Sequence, residues 1–363
     1  MGLCVKSLFM RQWANWFQTL LAYILKRLLL FIPTLAIIFL VNFAVLEWLP
    51  GSPANYVQSV LDESCLDEGL PEVTGQIVVP EELLKELETY YGLNQPRISR
   101  FMTMLKKYFF FDLGKSYRTG ESVREVIFAS LPVTLFVGLF SFLFLYMLAA
   151  PIGLLQAYWR GGGWDYLSNA VLLTLYATPV ILVAMALLLC FSTGYIVNYF
   201  PSSGLTSLGK SLTWWGQIKD YVWHLCLPVC TIVLSALARP VYLMRQAAIA
   251  EMEKTYVYSA MTRGLSKSYI FIHHILRNSF IPILGYMPSQ LSNMMLERPF
   301  FVEIIFSFGG IGSLTLQAFE ARDYTMIFGI LYVFSLIRVG IQLLGDLIAV
   351  AVDPRVHFGK VRR

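Results

Sequence analysis

Apolar runs about twenty residues long recur along this sequence, and they constrain the fold more than any motif does. A bilayer core about 30 Å thick needs roughly 20 residues of helix to cross it. Six segments reach that length: Leu28–Leu46, Leu131–Ala150, Leu167–Cys190, Tyr221–Leu243, Ile275–Leu296 and Met326–Ala351. Backbone groups in lipid have no water to bond, so each run is expected to be helical. The chain is 57% hydrophobic and 14% charged, against roughly 45–50% and 25% in soluble domains, which excludes a soluble enzyme. The expectation is an all-α membrane protein with six transmembrane helices, kinked at Pro33, Pro179, Pro228, Pro240 and Pro282.

Basic residues set the orientation, because loops rich in Lys and Arg stay in the cytosol. Residues 1–22, with Lys6 and Arg11, read as a cytosolic leader lying at the membrane surface, as Trp13, Trp16 and Phe17 suit, or as a plain tail. Residues 23–50 hold the first span, flanked by Lys26 and Arg27. Residues 51–130, rich in acids from Asp62 to Glu88, form an extracytoplasmic lobe between spans one and two. Residues 131–351 are a five-helix core containing a basic cytosolic loop at 245–282, and 352–363 are a cytosolic tail with Arg355, Lys360, Arg362 and Arg363. The net charge of +5 is spread over such loops, which argues against nucleic acid as a partner. The cysteines are divided between the two sides and the spans, so no disulfide framework is expected. Cys226 and Cys230 read as small apolar packing residues.

Motifs that would signal chemistry are weak. Gly204, Gly209, Lys210 and Ser211 match the phosphate-binding loop pattern, but no strand precedes them and they fall outside the cytosol, so the match is expected to be fortuitous. His273 and His274 lack the spacing of a metal site. No nucleophile and base pairing appears in the apolar segments, so the chain is expected to be no enzyme and to hold no cofactor or metal of its own. Charges within spans should face a water path or one another. Arg239 and Asp346 lie toward helix ends and can snorkel, whereas Arg338 is near mid-span and is a candidate for a translocation path. Glu297, Arg298 and Pro299 are expected to end the fifth span, with the two charges as further path candidates or as an ordinary helix terminus. Asp346 is read as the single acid well inside a span.

The 245–282 loop has its own mechanics. Thr255 can cap a short helix through Arg263, and Gly264 can end it in the left-handed conformation. Tyr256, Val257, Ala260 and Met261 would form an apolar knob that either docks in a partner's groove or packs on its own protein. Ser266 can start the next helix.

These residues carry a resemblance to the membrane permeases of ATP-driven dipeptide and oligopeptide importers. It runs through Tyr256-Val257, Ala260, Arg263-Gly264-Leu265-Ser266 and His274-Ile275-Leu276-Arg277-Asn278. It continues in Val302-Glu303-Ile304-Ile305-Phe306-Ser307, Gly310-Ile311-Gly312, Arg322-Asp323-Tyr324 and Asp353-Pro354-Arg355. Tyr91 to Pro96 and Asp112 to Ser116 belong to it as well. Tyr258 and Ser259 stand where the broad importer pattern has Glu and Ala, and the Gly51–Pro80 stretch resembles the branch that handles microcin-type and other peptides. The resemblance implies the type I importer permease fold. It also implies a second permease, two cytosolic ATPases that bind the ATP, and an extracytoplasmic peptide-binding protein as partners. Tyr256, Val257, Ala260, Met261, Arg263, Gly264 and Leu265 would then be the ATPase-coupling segment. Nickel and glutathione importers share that fold, and a self-contained secondary carrier is the competing reading.

Overall fold

The computed structural model describes residues 25, 29–30, 32–41, 43–44, 96–116, 118–192, 197–207, 213–321 and 323–352. The leader at 1–22, the tail beyond 352, most of the first span, residues 51–95 of the lobe, Cys4, Cys65 and the side chain of Asp346 lie outside them. The described elements are helical. The chain divides into two units, residues 32–115 and the remainder. In the smaller unit, helices α1 (Ile32–Val41) and α2 (Arg97–Phe109) meet through the edge-on contact of Phe39 on Tyr108 at 5.2 Å, and Phe43, just past α1, lies edge-on to Phe101 at 5.4 Å.

The larger unit is organised by α3, Val123–Tyr158, of 36 residues. At 1.5 Å per residue it is about 54 Å long, so it must project beyond the hydrocarbon. This is why it begins before the expected Leu131: Arg124 and Glu125 ride on a turn that need not enter lipid. Two glycines let other helices approach it closely. A Cβ at Gly138 would meet the backbone of Met294 at 2.5 Å, and one at Gly153 would meet the Val241 carbonyl at 2.6 Å.

The third apolar run is broken outright where a kink was expected. Helices α4 (Gly163–Ala177) and α5 (Val180–Phe191) meet at 107°, because Pro179 offers no N–H and holds Thr178 extended at φ −83°, ψ 124°. Neither half, of 15 and 12 residues, is long enough to cross a bilayer alone. The fourth run is α6 (Trp214–Ala236), with Pro228 inside it, followed after Leu237 by α7 (Ala238–Met252). Pro240 sits in the first turn of α7, where its absent donor is one the helix would not have used.

The fifth run gives the largest departure. Helix α8 (Thr255–Thr262) precedes α9, which runs from Lys267 to Phe306 and turns by 74° into α10 (Ile311–Glu320). The Glu297-Arg298-Pro299 sequence therefore does not end the helix. A π-helical turn at Asn293–Glu297 lets the Arg298 N–H donate to the Asn293 carbonyl five residues back, 3.0 Å away, and Arg298 keeps helical dihedrals. The widened turn delivers Pro299, which has no N–H to place, to the first position of the next helical stretch. A second π turn covers Phe271–Ile275. The last run is α11, Tyr324–Val352, as expected.

Among the described residues, three helices are long and apolar enough to cross a membrane, or five spans if each bent pair counts as one. The exterior agrees with this reading: Leu143, Met147, Leu173, Leu182, Leu344 and Ile348 are exposed large apolar side chains. One core cluster gathers α3, α6 and α9 around Val137, Leu145, Ile232, Met294 and Phe306. Another seats α8 against α3, α7 and α9.

Candidate functional site

Helix α8 is short, and burial of two residues seats it. Val257 is wholly buried and Ala260 is 8% exposed, packed among Leu154, Ala157, Met244, Ala248 and Ile270. The helix stops as the sequence predicts. Gly264 adopts φ +80°, its N–H bonds the Met261 carbonyl at 3.0 Å, and Leu265 N–H reaches the Ala260 carbonyl at 3.4 Å. Ser266 then caps α9 by accepting from the Tyr269 N–H at 3.3 Å.

The start of α8 is held differently from expectation. Thr255 is already the first helical residue and makes no side-chain cap. The end of α7 supplies the fastening: the buried Glu251 carboxylate accepts from Tyr256 Oη at 2.7 Å and from Lys254 Nζ, while Asn278 of α9 donates to Tyr256 Oη at 3.1 Å. Burial, helped by the adjacent Glu251, raises the Tyr256 hydroxyl above its ordinary pKa, so it stays a donor. His274 packs edge-on near Tyr256 at 6.4 Å, and His273 stacks on Tyr269 at 4.1 Å.

The knob therefore has two sides, and the sequence reading merged them. Tyr256, Val257 and Ala260 face the protein's own core. The side left open carries Tyr258, Met261, Arg263 and Leu265, with Tyr258 57% exposed and Met261 43% exposed. Tyr258 departs from the broad importer pattern, and its place on the helix opposite Val257 and Ala260 is the signal that it faces outward.

Next to α8, Arg245 of α7 binds Asp165 of α4 through two bonds, Nε to Oδ1 at 3.1 Å and Nη2 to Oδ2 at 2.8 Å. Asp165 also accepts from the Gly161 N–H at 3.1 Å and from Asn169 Nδ2 at 3.0 Å. Both resemblance motifs around Ser116 and Asp323 meet as well: Ser116 Oγ donates to Asp323, whose other oxygen accepts the Met326 N–H at 3.1 Å and so caps α11.

The charged residues of the spans fall into two places. Arg338 of α11 pairs with Glu297 of α9 at 2.8 Å, each about half exposed. Arg298 donates to Ser235 Oγ at 3.2 Å, and the Arg239 guanidinium lies 5.0 Å from the Tyr286 ring centre. Glu303, to which the sequence assigns no role, is wholly buried where α9 turns into α10. Its carboxylate accepts the Gly312 N–H, and a Cβ at Gly310 would lie 2.5 Å from its carboxyl carbon. Glu303 thus joins Asp346 as an acid on a long apolar helix. Of the phosphate-loop match, residues 208–212 lie outside the described residues; Gly204 donates to the Phe306 carbonyl at 3.0 Å and Ser207 binds Asp220, with no strand before them among the described residues.

Comparison with known proteins places this geometry. Residues 149–358 match the family described as binding-protein-dependent transport system inner membrane component. The peptidoglycan transport system permease protein YejB of Agrobacterium fabrum is 32% identical over 93% of this chain and 98% of its own length. The inner membrane ABC transporter permease protein YejB of Escherichia coli O157:H7 is also 32% identical, over 93% of this chain and 99% of its length. The oligopeptide permease OppB of Escherichia coli K12 is 24% identical, over 93% and 100%. Among solved structures, an inward-facing form of the MetNI methionine ABC transporter superposes with a TM-score of 0.51 at 16% identity, covering 63% of this chain and 96% of that one. That likeness establishes a shared fold.

Proposed function

The chain belongs to the family of binding-protein-dependent transport system inner membrane components, and we propose that within it this protein is the permease subunit of an ATP-driven peptide importer. The observation that carries the reading is the nearly full-length similarity to permeases named for peptide, oligopeptide and peptidoglycan transport. In this reading the chain crosses the bacterial inner membrane six times with both termini in the cytosol, and residues 51–130 form a lobe outside. It pairs with a second permease, two ATPases and a peptide-binding protein. ATP binds to the ATPases, and this chain holds no cofactor.

Helix α8 is the coupling element. Its inner face, Tyr256, Val257 and Ala260, fastens it to the bundle, and its outer face, Tyr258, Met261, Arg263 and Leu265, rests in a groove of an ATPase. Because Gly264 and Ser266 end one helix and begin the next with a single short turn, α8 moves as one body with α9. Closure of the ATPases pushes α8, the motion passes along α9 and through Arg245–Asp165 to α4, and the cavity between the permeases changes the side to which it opens.

The test is disulfide crosslinking in membranes between a cysteine at position 258 or 261, each in a version without the native cysteines, and cysteines in the ATPase subunit. A crosslink whose yield changes with ATP is expected. No crosslink at 258 or 261, with the ATPase folded and present, would rule out α8 as the coupling element. Position 260 is unsuitable, since Ala260 is buried.

A further inference from the structure

A polar seam runs along the apolar part of the bundle where α6, α7, α4, α9 and α11 come together. Ser235 and Arg239 are four residues apart and contact Arg298 and Tyr286 of α9, respectively. Tyr286 donates to Gln290 Oε1 at 2.6 Å, holds the Arg239 guanidinium 5.0 Å from its ring centre, and lies within electrostatic reach of Arg298 and of Tyr176 on α4. Glu297 and Arg338 continue the seam on α11. Arg239 and Tyr176 are exposed and Arg298 is half-buried.

Charge does not balance along it. Glu297 is taken by Arg338, and among the described residues neither Arg239 nor Arg298 has a carboxylate within ion-pair distance. Three guanidiniums against one carboxylate leave two unmatched positive charges. Arg239 could snorkel toward its helix end, but its guanidinium sits against the Tyr286 ring, and the half-buried Arg298 cannot face hydrocarbon cheaply, so this face borders water or protein. Arg239 is further held by a tyrosine ring, which orients the guanidinium and leaves its N–H fork open. A planar fork of that kind matches a carboxylate with two parallel hydrogen bonds.

We propose that Arg239, Arg298 and Tyr286 form a carboxylate-binding subsite on the translocation path, which favours peptides bearing an acidic side chain besides their terminal carboxylate. The inference rests on the importer reading and names the class of substrate that the path accepts. Glu297 keeps the site from becoming a trap: its charge beside Arg298 weakens the hold on an arriving carboxylate, as passage requires.

The test uses the whole complex, with its binding protein, in proteoliposomes, and compares uptake of Ala-Glu-Ala with that of Ala-Gln-Ala, which differ in charge and hardly in shape. Each variant is expressed relative to the unsubstituted complex on the same peptide, so selection by the binding protein cancels. Arg239→Gln is expected to lower Ala-Glu-Ala uptake relative to Ala-Gln-Ala by about tenfold, the scale of one charge-assisted hydrogen bond, and Arg239→Lys to lower it less. If Arg298→Gln does not assemble, Arg239→Gln, at an exposed position, carries the test. Equal loss of both peptides, or no loss of either, would overturn the subsite. A loss confined to vesicles containing phosphatidylglycerol would assign the arginines to a lipid headgroup and overturn it too. An unsubstituted complex that imports neither tripeptide would overturn the importer reading, and the subsite with it.

Discussion

Arg245 grips both oxygens of Asp165, 80 residues away, and so joins the arm that carries α8 to the first turn of α4. Asp165 is 5% exposed in its side chain and Arg245 21%. Breaking such a pair strands the surviving charge, while removing both partners does not.

Arg245→Gln is therefore expected to lower the unfolding midpoint of the purified complex by several degrees, and Asp165→Asn with Arg245→Gln to recover part of it. Differential scanning fluorimetry of the native complex, Arg245→Gln, Asp165→Asn alone and the double variant checks this. Loss in the double variant equal to the sum of the singles would remove the pairing argument.

Glu303 closes the turn into α10 by accepting the Gly312 N–H in a site with no exposure. Glu303→Gln keeps an acceptor and is expected to fold. Glu303→Ala leaves that donor unmet at a cost of about 1–3 kcal/mol, and Gly310→Ala drives a methyl into the carboxyl. Yield of folded protein by size-exclusion chromatography should rank the native chain and Glu303→Gln above the other two.

Gly153 and Gly138 are the contact points of α3 with α7 and with the π turn of α9. Valine at either position meets backbone, and at Gly153 also the Cβ of Met244, none of which a rotamer change can move away, so both variants are expected to lose the folded bundle. Substitution at Gly163, where no atom lies within 4 Å, should leave it intact. Limited proteolysis in membranes distinguishes the three.

Tyr256 and Glu251 fasten α8 to the bundle. Tyr256→Phe is expected to leave the complex assembled while lowering peptide uptake per ATP hydrolysed a few-fold, because α8 then yields under load. Uptake and hydrolysis measured in the same proteoliposomes would show it; an unchanged ratio would mean that Val257 and Ala260 alone hold the helix.

The sequence made the helical class, the final span and the stop at Gly264 legible, because hydropathy and a residue free to take φ +80° act locally. It concealed what depends on partners in space. Pro179 breaks its span outright, whereas Pro228 lies within a continuous helix, and nothing within a few residues of either distinguishes them. Glu297-Arg298-Pro299 has the composition of a helix end, yet a π turn carries the helix through it. The face of α8 that points outward was readable from Tyr258, but the attraction of an apolar cluster obscured which side its own core would claim. Asp165, Arg245 and Glu303 are single polar residues whose partners lie in other helices or around a turn, so periodicity could not single them out.

The π turn at Asn293–Glu297 also sets the phase of α9. A π turn is one residue inserted into an α-helix, and each residue of an α-helix accounts for about 100° of rotation. Everything after the insertion faces a direction it would not otherwise face. Arg298 reaches Ser235 of α6 because of that offset. Excision of one residue from this turn would change no side-chain chemistry, yet it would swing the remainder of the helix by more than a quarter turn and point its functional groups at the wrong neighbours.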